Sequence, residues 1–146
     1  MARGNKANRD AFVSIPAEVK EMLRHVIPAV QQMPKIDRID GAGAEMRKAS
    51  FSIIREFYMA YYARTPEKKE EHVLEMFGWY GHFIAAFEVA IRQGILKDGF
   101  KLPIAMRLER IEEGVKKWYT SIAHTASGAG PAQPGDPGGG LAGDDE

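Results

Sequence analysis

The sequence predicts an all-α chain folded as an antiparallel up-down four-helix bundle, and three observations carry that reading. Four stretches repeat apolar residues at helical spacing. Proline and glycine clusters punctuate the chain between them, leaving only short connections, for which up-down packing is the default arrangement. The third observation is a single stretch, Glu67 to Gly94, that is apolar most of the way round. As a helix it is about 40 Å long at ~1.5 Å per residue. A surface helix keeps one apolar stripe, so this one is expected to pack on its own bundle and on another chain as well.

In chain order, residues 1–13 carry Arg3, Lys6 and Arg9 and read as a flexible basic arm. The bundle proper is expected over residues 14–125. Its first helix starts after Ser14, a good cap, with Pro16 in the first turn where a missing N–H is harmless. Val19, Met22, Leu23, Val26, Ile27 and Val30 follow helical spacing, Pro28 bends the helix, and Pro34 stops it. Lys35 to Gly43, with two glycines and alternating charges, reads as a connector.

The second helix runs from Ala44 to Arg64, with Met46, Ala49, Ile53, Phe57 and Ala60 as its buried stripe. Lys48, Ser52, Arg55, Met59 and Tyr62 lie on the opposite face, where cations beside tyrosines suit stacking and pairing with nucleic acid. The same pattern also suits a half-exposed bundle helix. Thr65-Pro66-Glu67 is the clearest start signal, a cap followed by proline and acids that favour the helix dipole.

In that third helix the expected core seam is Val73, Phe77, Tyr80, Ile84, Phe87 and Ile91. Gly78, Gly81 and Ala85, with Trp79 and Phe83 beside them, form a second surface for another helix or subunit. Glycine costs a helix about 1 kcal/mol relative to alanine, and close approach of a partner is the usual compensation. Gly94 ends the helix. Pro103 opens a fourth helix, Leu102 to His124, striped by Ile104, Leu108, Ile111, Val115, Trp118 and Ile122. Its outer face alternates charge, includes the pairs Glu112–Lys116 and Glu113–Lys117, and reads as solvated. Residues 126–146 are Gly/Pro-rich and acidic, which predicts a disordered tail.

The 146 residues suffice for one domain with a sizeable core. There is no cysteine, which removes disulfides and thiolate chemistry and fits a cytoplasmic setting. The first ten residues have no apolar segment resembling a secretory signal, and no run of about 20 apolar residues spans a membrane. Net charge is zero. Four of the 20 acids lie beyond Ser127 and none of the 20 basic residues does, so the body carries a net +4. That balance permits contact with nucleic acid.

Catalytic and metal-binding patterns are missing. The chain has neither the Glu-x-x-His pairs of a di-iron bundle nor HExxH. Its four histidines, at 25, 72, 82 and 124, form no ligand set. His82 is expected beside Glu75 and Glu71 on one polar stripe. Gly41-x-Gly43 is no phosphate loop. These readings predict no enzyme activity, no metal and no cofactor.

The segment HVIPAVQQMPKIDRIDG, the third helix ending in FEVAIRQGIL and the fourth ending in Trp118 resemble the accessory variability proteins of diversity-generating retroelements. Those are relatives of the four-helix bundles encoded in ribosomal RNA intervening sequences. The resemblance covers about residues 18 to 122. It implies a homopentamer that binds the element's reverse transcriptase and template RNA and supports mutagenic cDNA synthesis. Lys35 and Arg38 match the basic positions after the family's proline, and Arg47, Lys48 and Arg55 join them as RNA- or partner-binding candidates. The chain departs from the family in charge, being neutral where those proteins are basic. The alternative is a stand-alone interaction protein of the intervening-sequence type with no reverse-transcriptase partner.

Overall fold

The computed structural model describes the backbone of residues 2–126 and the side chains of residues 15–123. The described residues are all-helical and contain no strand. Helix α1 spans Ala2–Gln31, α2 Lys35–Asp40, α3 Ala42–Tyr62, α4 Pro66–Arg92 and α5 Asp98–Ala126. The tail expected beyond Ala126 lies outside the described residues.

Several boundaries differ from expectation. The first helix already begins at Ala2, where a flexible arm over residues 1–13 and a start at Ser14 were expected. Pro16 sits inside it; proline's fixed φ is itself helical, so it removes a single bond. The supposed connector is also partly helical. Pro34 precedes α2, and its carbonyl accepts from the backbone N–H of Asp37 at 2.9 Å and of Arg38 at 3.1 Å. Gly43 belongs to α3, where it is buried. A Cβ there would lie 2.7 Å from Met33 Sδ and 2.8 Å from the Asp37 carbonyl. This glycine therefore serves close packing of α3 on the α1–α2 corner instead of chain reversal. Helix α5 starts four residues before Leu102, at Asp98, whose carboxylate pairs with Lys101 Nζ at 2.8 Å. Pro103 lies inside this helix too.

The punctuation around α4 is as expected. Thr65 Oγ1 accepts from the Lys68 N–H at 3.2 Å, with Pro66 in the first turn. At the other end Gly94 has φ of 70°. Gly94 N–H bonds the Ile91 carbonyl at 3.0 Å and Ile95 N–H the Ala90 carbonyl at 3.1 Å. This is the paired closure that a left-handed glycine permits.

The long helices pack α1 on α3 and α5, and α4 on α3 and α5. Val19, Met22 and Val26 of α1, Met46, Ile53 and Phe57 of α3, Val73 and Met76 of α4, and Ile104, Ile111 and Trp118 of α5 share one core. Trp118 is 1% exposed, and its ring lies 5.1 Å from that of Phe57. The stripes foreseen on α3 and α5 are the buried ones.

Helix α4 is rotated from its expected setting. Its buried side chains are Lys69, Val73, Met76, Phe83, Ala86, Phe87 and Ala90. Phe77, Tyr80, Ile84 and Ile91, expected at the centre of the seam, are only partly buried. Phe83, assigned to the second surface, is fully buried, its ring 6.0 Å from that of Phe87 and tilted 31° to it. The cause is that α4 serves two neighbours. One band fills the shared core, and the next faces α5, where Phe77 meets the edge of Tyr119 and Tyr80 donates to the Leu108 carbonyl at 3.2 Å. Burial and the nearby Glu112 carboxylate push the Tyr80 hydroxyl up to about 12.

Among the polar ties that cross between helices, two bear on the packing. Arg107 of α5 donates to Glu18 of α1 at 2.9 Å, with Arg110 at 3.7 Å, so the outer face of α5 is partly a seam and not wholly solvated. Glu112–Lys116 does form on that face, at 2.9 Å. The second tie is Lys69, 2% exposed, whose ammonium donates to the Ala60 and Tyr61 carbonyls at 3.2 Å each. These carbonyls end α3, where the helix dipole is negative.

Replacing Lys69 with methionine keeps the apolar stem but removes the ammonium donor from both carbonyls. Urea denaturation of Lys69→Met is expected to show a stability loss of about 2 kcal/mol, with an unchanged slope against denaturant.

Candidate nucleic-acid interface

The outward face of α3 combines cations with exposed aromatic rings. Arg47, Phe51, Arg55, Tyr58 and Tyr62 follow one another at steps of three and four, which places them on one side of the helix. Phe51 is 55% exposed and Tyr62 69%, and Tyr58 is exposed as well. The Tyr58 and Tyr62 rings lie 6.4 Å apart at 18° to one another, so they form a short stacked ladder. The band is about 22 Å long at ~1.5 Å per residue.

Large aromatic groups left in water beside guanidinium groups suit single-stranded nucleic acid. Bases stack on the rings whatever their identity, and the cations meet phosphate. The acids of this helix are engaged elsewhere. Glu56 is buried against α4, accepting from Arg55 Nη2 at 3.1 Å and contacting His72 Nδ1 at 2.8 Å. Glu45 contacts His82 Nε2 at 2.7 Å, and the His82 hydrogen bond holds the Glu45 carboxyl below its ordinary value. Of the band's two cations, Arg55 thus shares its guanidinium with Glu56, and Arg47 pairs with neither acid.

The five basic candidates fall in three places. Lys35 and Arg38 lie on α2, and Arg47 Nη2 donates across to the Arg38 carbonyl at 3.2 Å, so these three gather at the α2–α3 corner. Arg38 Nε is buried there without a hydrogen-bond partner. Arg55 sits at the middle of the aromatic band, its side chain 62% exposed. Lys48 departs from that band toward α4, its ammonium 5.8 Å from the centre of the Trp79 ring.

Ser52, which the sequence placed on the outward face, is buried, and Phe51 and Tyr58, which it did not single out, are exposed. The helical wheel resolves this: with Met46, Ile53 and Phe57 facing inward, Phe51 and Tyr58 point away.

A second open surface lies on α4. Gly78, Gly81 and Ala85 are exposed, and a Cβ built on either glycine meets no atom within 4 Å. Leu74 and Val89, 50% and 43% exposed, continue the stripe in both directions. Of the five interface candidates, Gly78, Gly81 and Ala85 lie here and Phe83 in the core. Trp79 is half-buried in the groove of about 270 Å³ between α3 and α4, beside Glu45, Lys48, Glu75 and His82. His82 thus meets Glu45 of the neighbouring helix, not the stripe partners Glu75 and Glu71. Among the described residues no three His, Asp or Glu side chains converge as metal ligands, and no helix is long and apolar enough to cross a membrane.

Because a Cβ at Gly81 meets nothing within 4 Å among the described residues, Gly81→Ala is expected to stabilise the isolated subunit by about 0.5–1 kcal/mol, the helix propensity difference. Thermal melting at low protein concentration reads this directly; destabilisation would mean that the face is occupied within the chain.

Against protein-family models, curated proteins and solved structures, the chain finds no match.

Proposed function

We propose that this chain is a non-catalytic, cytoplasmic accessory protein of a diversity-generating retroelement. In this reading an antiparallel up-down four-helix bundle self-assembles and holds template RNA along α3. It thereby supports the reverse transcriptase in mutagenic cDNA synthesis. The observation that carries the RNA part is the outward α3 band, where Arg47 and Arg55 alternate with exposed Phe51, Tyr58 and Tyr62. Lys35, Arg38 and Arg47 extend the positive surface to the α2–α3 corner. Self-assembly is supported by the open α4 stripe, since an apolar helix face of that length marks a partner. The retroelement setting, and assembly as five copies, come from the resemblance over residues 18 to 122.

The test is binding of a fluorescent single-stranded RNA to the full chain and its variants. Tyr58→Ala and Tyr62→Ala are each expected to weaken affinity at least about fivefold, because a stacked base contributes about 1–3 kcal/mol. Arg55→Ala removes a phosphate contact and weakens binding alike for RNAs of unrelated sequence. Glu113→Gln, at an exposed position of α5 away from the α3 band, leaves affinity unchanged. Unaltered binding in all three α3 variants overturns the RNA reading and favours a stand-alone bundle without an RNA partner.

A further inference from the structure

The sequence after Ala126 holds a regular pattern that helix formation does not explain. Pro131, Pro134 and Pro137 stand three residues apart. A polyproline II helix has three residues per turn, so this spacing sets the three rings along one edge of an extended segment. Asp136 lies among them, Asp144, Asp145 and Glu146 follow, and residues 127–146 contain no lysine or arginine.

We infer that residues 131–146 dock along the outward band of α3, with the prolines on its exposed rings, and so compete with RNA. This rests on the RNA-binding face proposed above and names what regulates it. Proline segments of this spacing dock on aromatic-lined surfaces because they are already extended and lose little entropy. Phe51, Tyr58 and Tyr62 supply such a surface. The tyrosines are braced from beneath. Phe57 lies nearly perpendicular to Tyr58 at 5.1 Å, and Tyr61 to Tyr62 at 5.0 Å. Phe57 and Tyr61 stack on one another at 5.9 Å, and Phe57 also packs on buried Trp118. A face held in this way needs little rearrangement to receive a partner.

Length, position and charge agree. Phe51 to Tyr62 covers about 16 Å at ~1.5 Å per residue, and Pro131 to Pro137 about 19 Å at ~3.1 Å per residue. Helices α3 and α5 end at the same end of the bundle. Trp118 meets Phe57 there, and Tyr119 donates to Glu70 in the first turns of α4 at 3.4 Å. The chain therefore leaves α5 at the Tyr62 end of the band. From Ala126 to Pro134 an extended chain reaches about 26 Å at ~3.3 Å per residue. That is enough to round an end two helices wide, at about 10 Å each. A segment running back along α3 meets the tyrosines first and brings its last acids toward the α2–α3 corner, where Lys35, Arg38 and Arg47 gather. Asp37 and Asp40 of α2 leave this corner only weakly positive, so the prolines carry the contact and the charges set its direction.

Binding measured on the full chain tests this. A tethered segment has an effective concentration on the order of 1 mM, so a contact with a Kd of about 0.2 mM in trans lowers RNA affinity about sixfold. Pro131→Ala, Pro134→Ala and Pro137→Ala together leave every charge in place and are expected to raise affinity for a fluorescent single-stranded RNA by that factor. A synthetic peptide of residues 127–146, titrated by NMR into this proline variant, is expected to bind. Adding Tyr58→Ala or Tyr62→Ala should weaken the peptide about fivefold, the loss of one aromatic anchor. If the proline variant binds RNA no more tightly than the wild type while Tyr58→Ala weakens RNA binding, the docked segment is excluded and the RNA face stands. If the peptide binds through the tyrosines and neither chain binds RNA, the RNA reading falls and the docking stands. Peptide binding unmoved by both tyrosine variants overturns the docking.

Discussion

The buried ammonium of Lys69 holds the end of α3 onto the first turns of α4, and the placement of both functional faces follows from that contact. The last carbonyls of a helix lack internal partners and carry partial negative charge. Lys69 satisfies two of them while its stem fills core space. The turn between the helices is closed on its other side by Thr65, which caps α4. With this corner fixed, the side-chain pairs step backward along α3 as they step forward along α4. Glu56 meets His72, Lys48 meets Trp79, and Glu45 meets His82. Those rungs absorb the acids of α3 and turn its aromatic band outward.

The same packing explains why α4 has more apolar surface than the subunit uses. Two of its bands are consumed, one by the shared core through Val73, Met76 and Phe83 and one by α5 through Phe77 and Tyr80. The third, running from Leu74 to Val89, is open among the described residues: Leu74 and Val89 are about half exposed, and a Cβ on Gly78 or Gly81 meets nothing within 4 Å. A surface of small residues flanked by exposed leucine and valine costs stability in water, and burying it against another chain recovers that cost. In the proposed account the two open faces divide the work, with α4 for self-assembly and α3 for RNA.

Much of this was legible in the sequence, and the failures share a cause. The stripes of α3 and α5 could be read because each helix buries one continuous face, which a single period describes. Thr65-Pro66 and Gly94 could be read because caps are local chemistry. Helix α4 was misjudged by a fraction of a turn because two neighbours bury adjacent bands, and its composition does not say which is central; Phe83 fell on the wrong side for that reason. Gly43 looked like a breaker because its need for close contact arises from Met33 and Asp37, which only the folded corner supplies. His82 and Glu45 are 37 residues apart, beyond any helical spacing rule. Phe51 and Tyr58 are aromatic residues that the helical wheel turns outward, and the sequence reading did not single them out.

The central claim is that this neutral chain presents a positive, aromatic face to single-stranded RNA, and the dependence of RNA affinity on salt tests it most directly. Two phosphate contacts, from Arg47 and Arg55, predict that log K falls against log salt with a slope of about −1.4. A slope near zero would contradict the account.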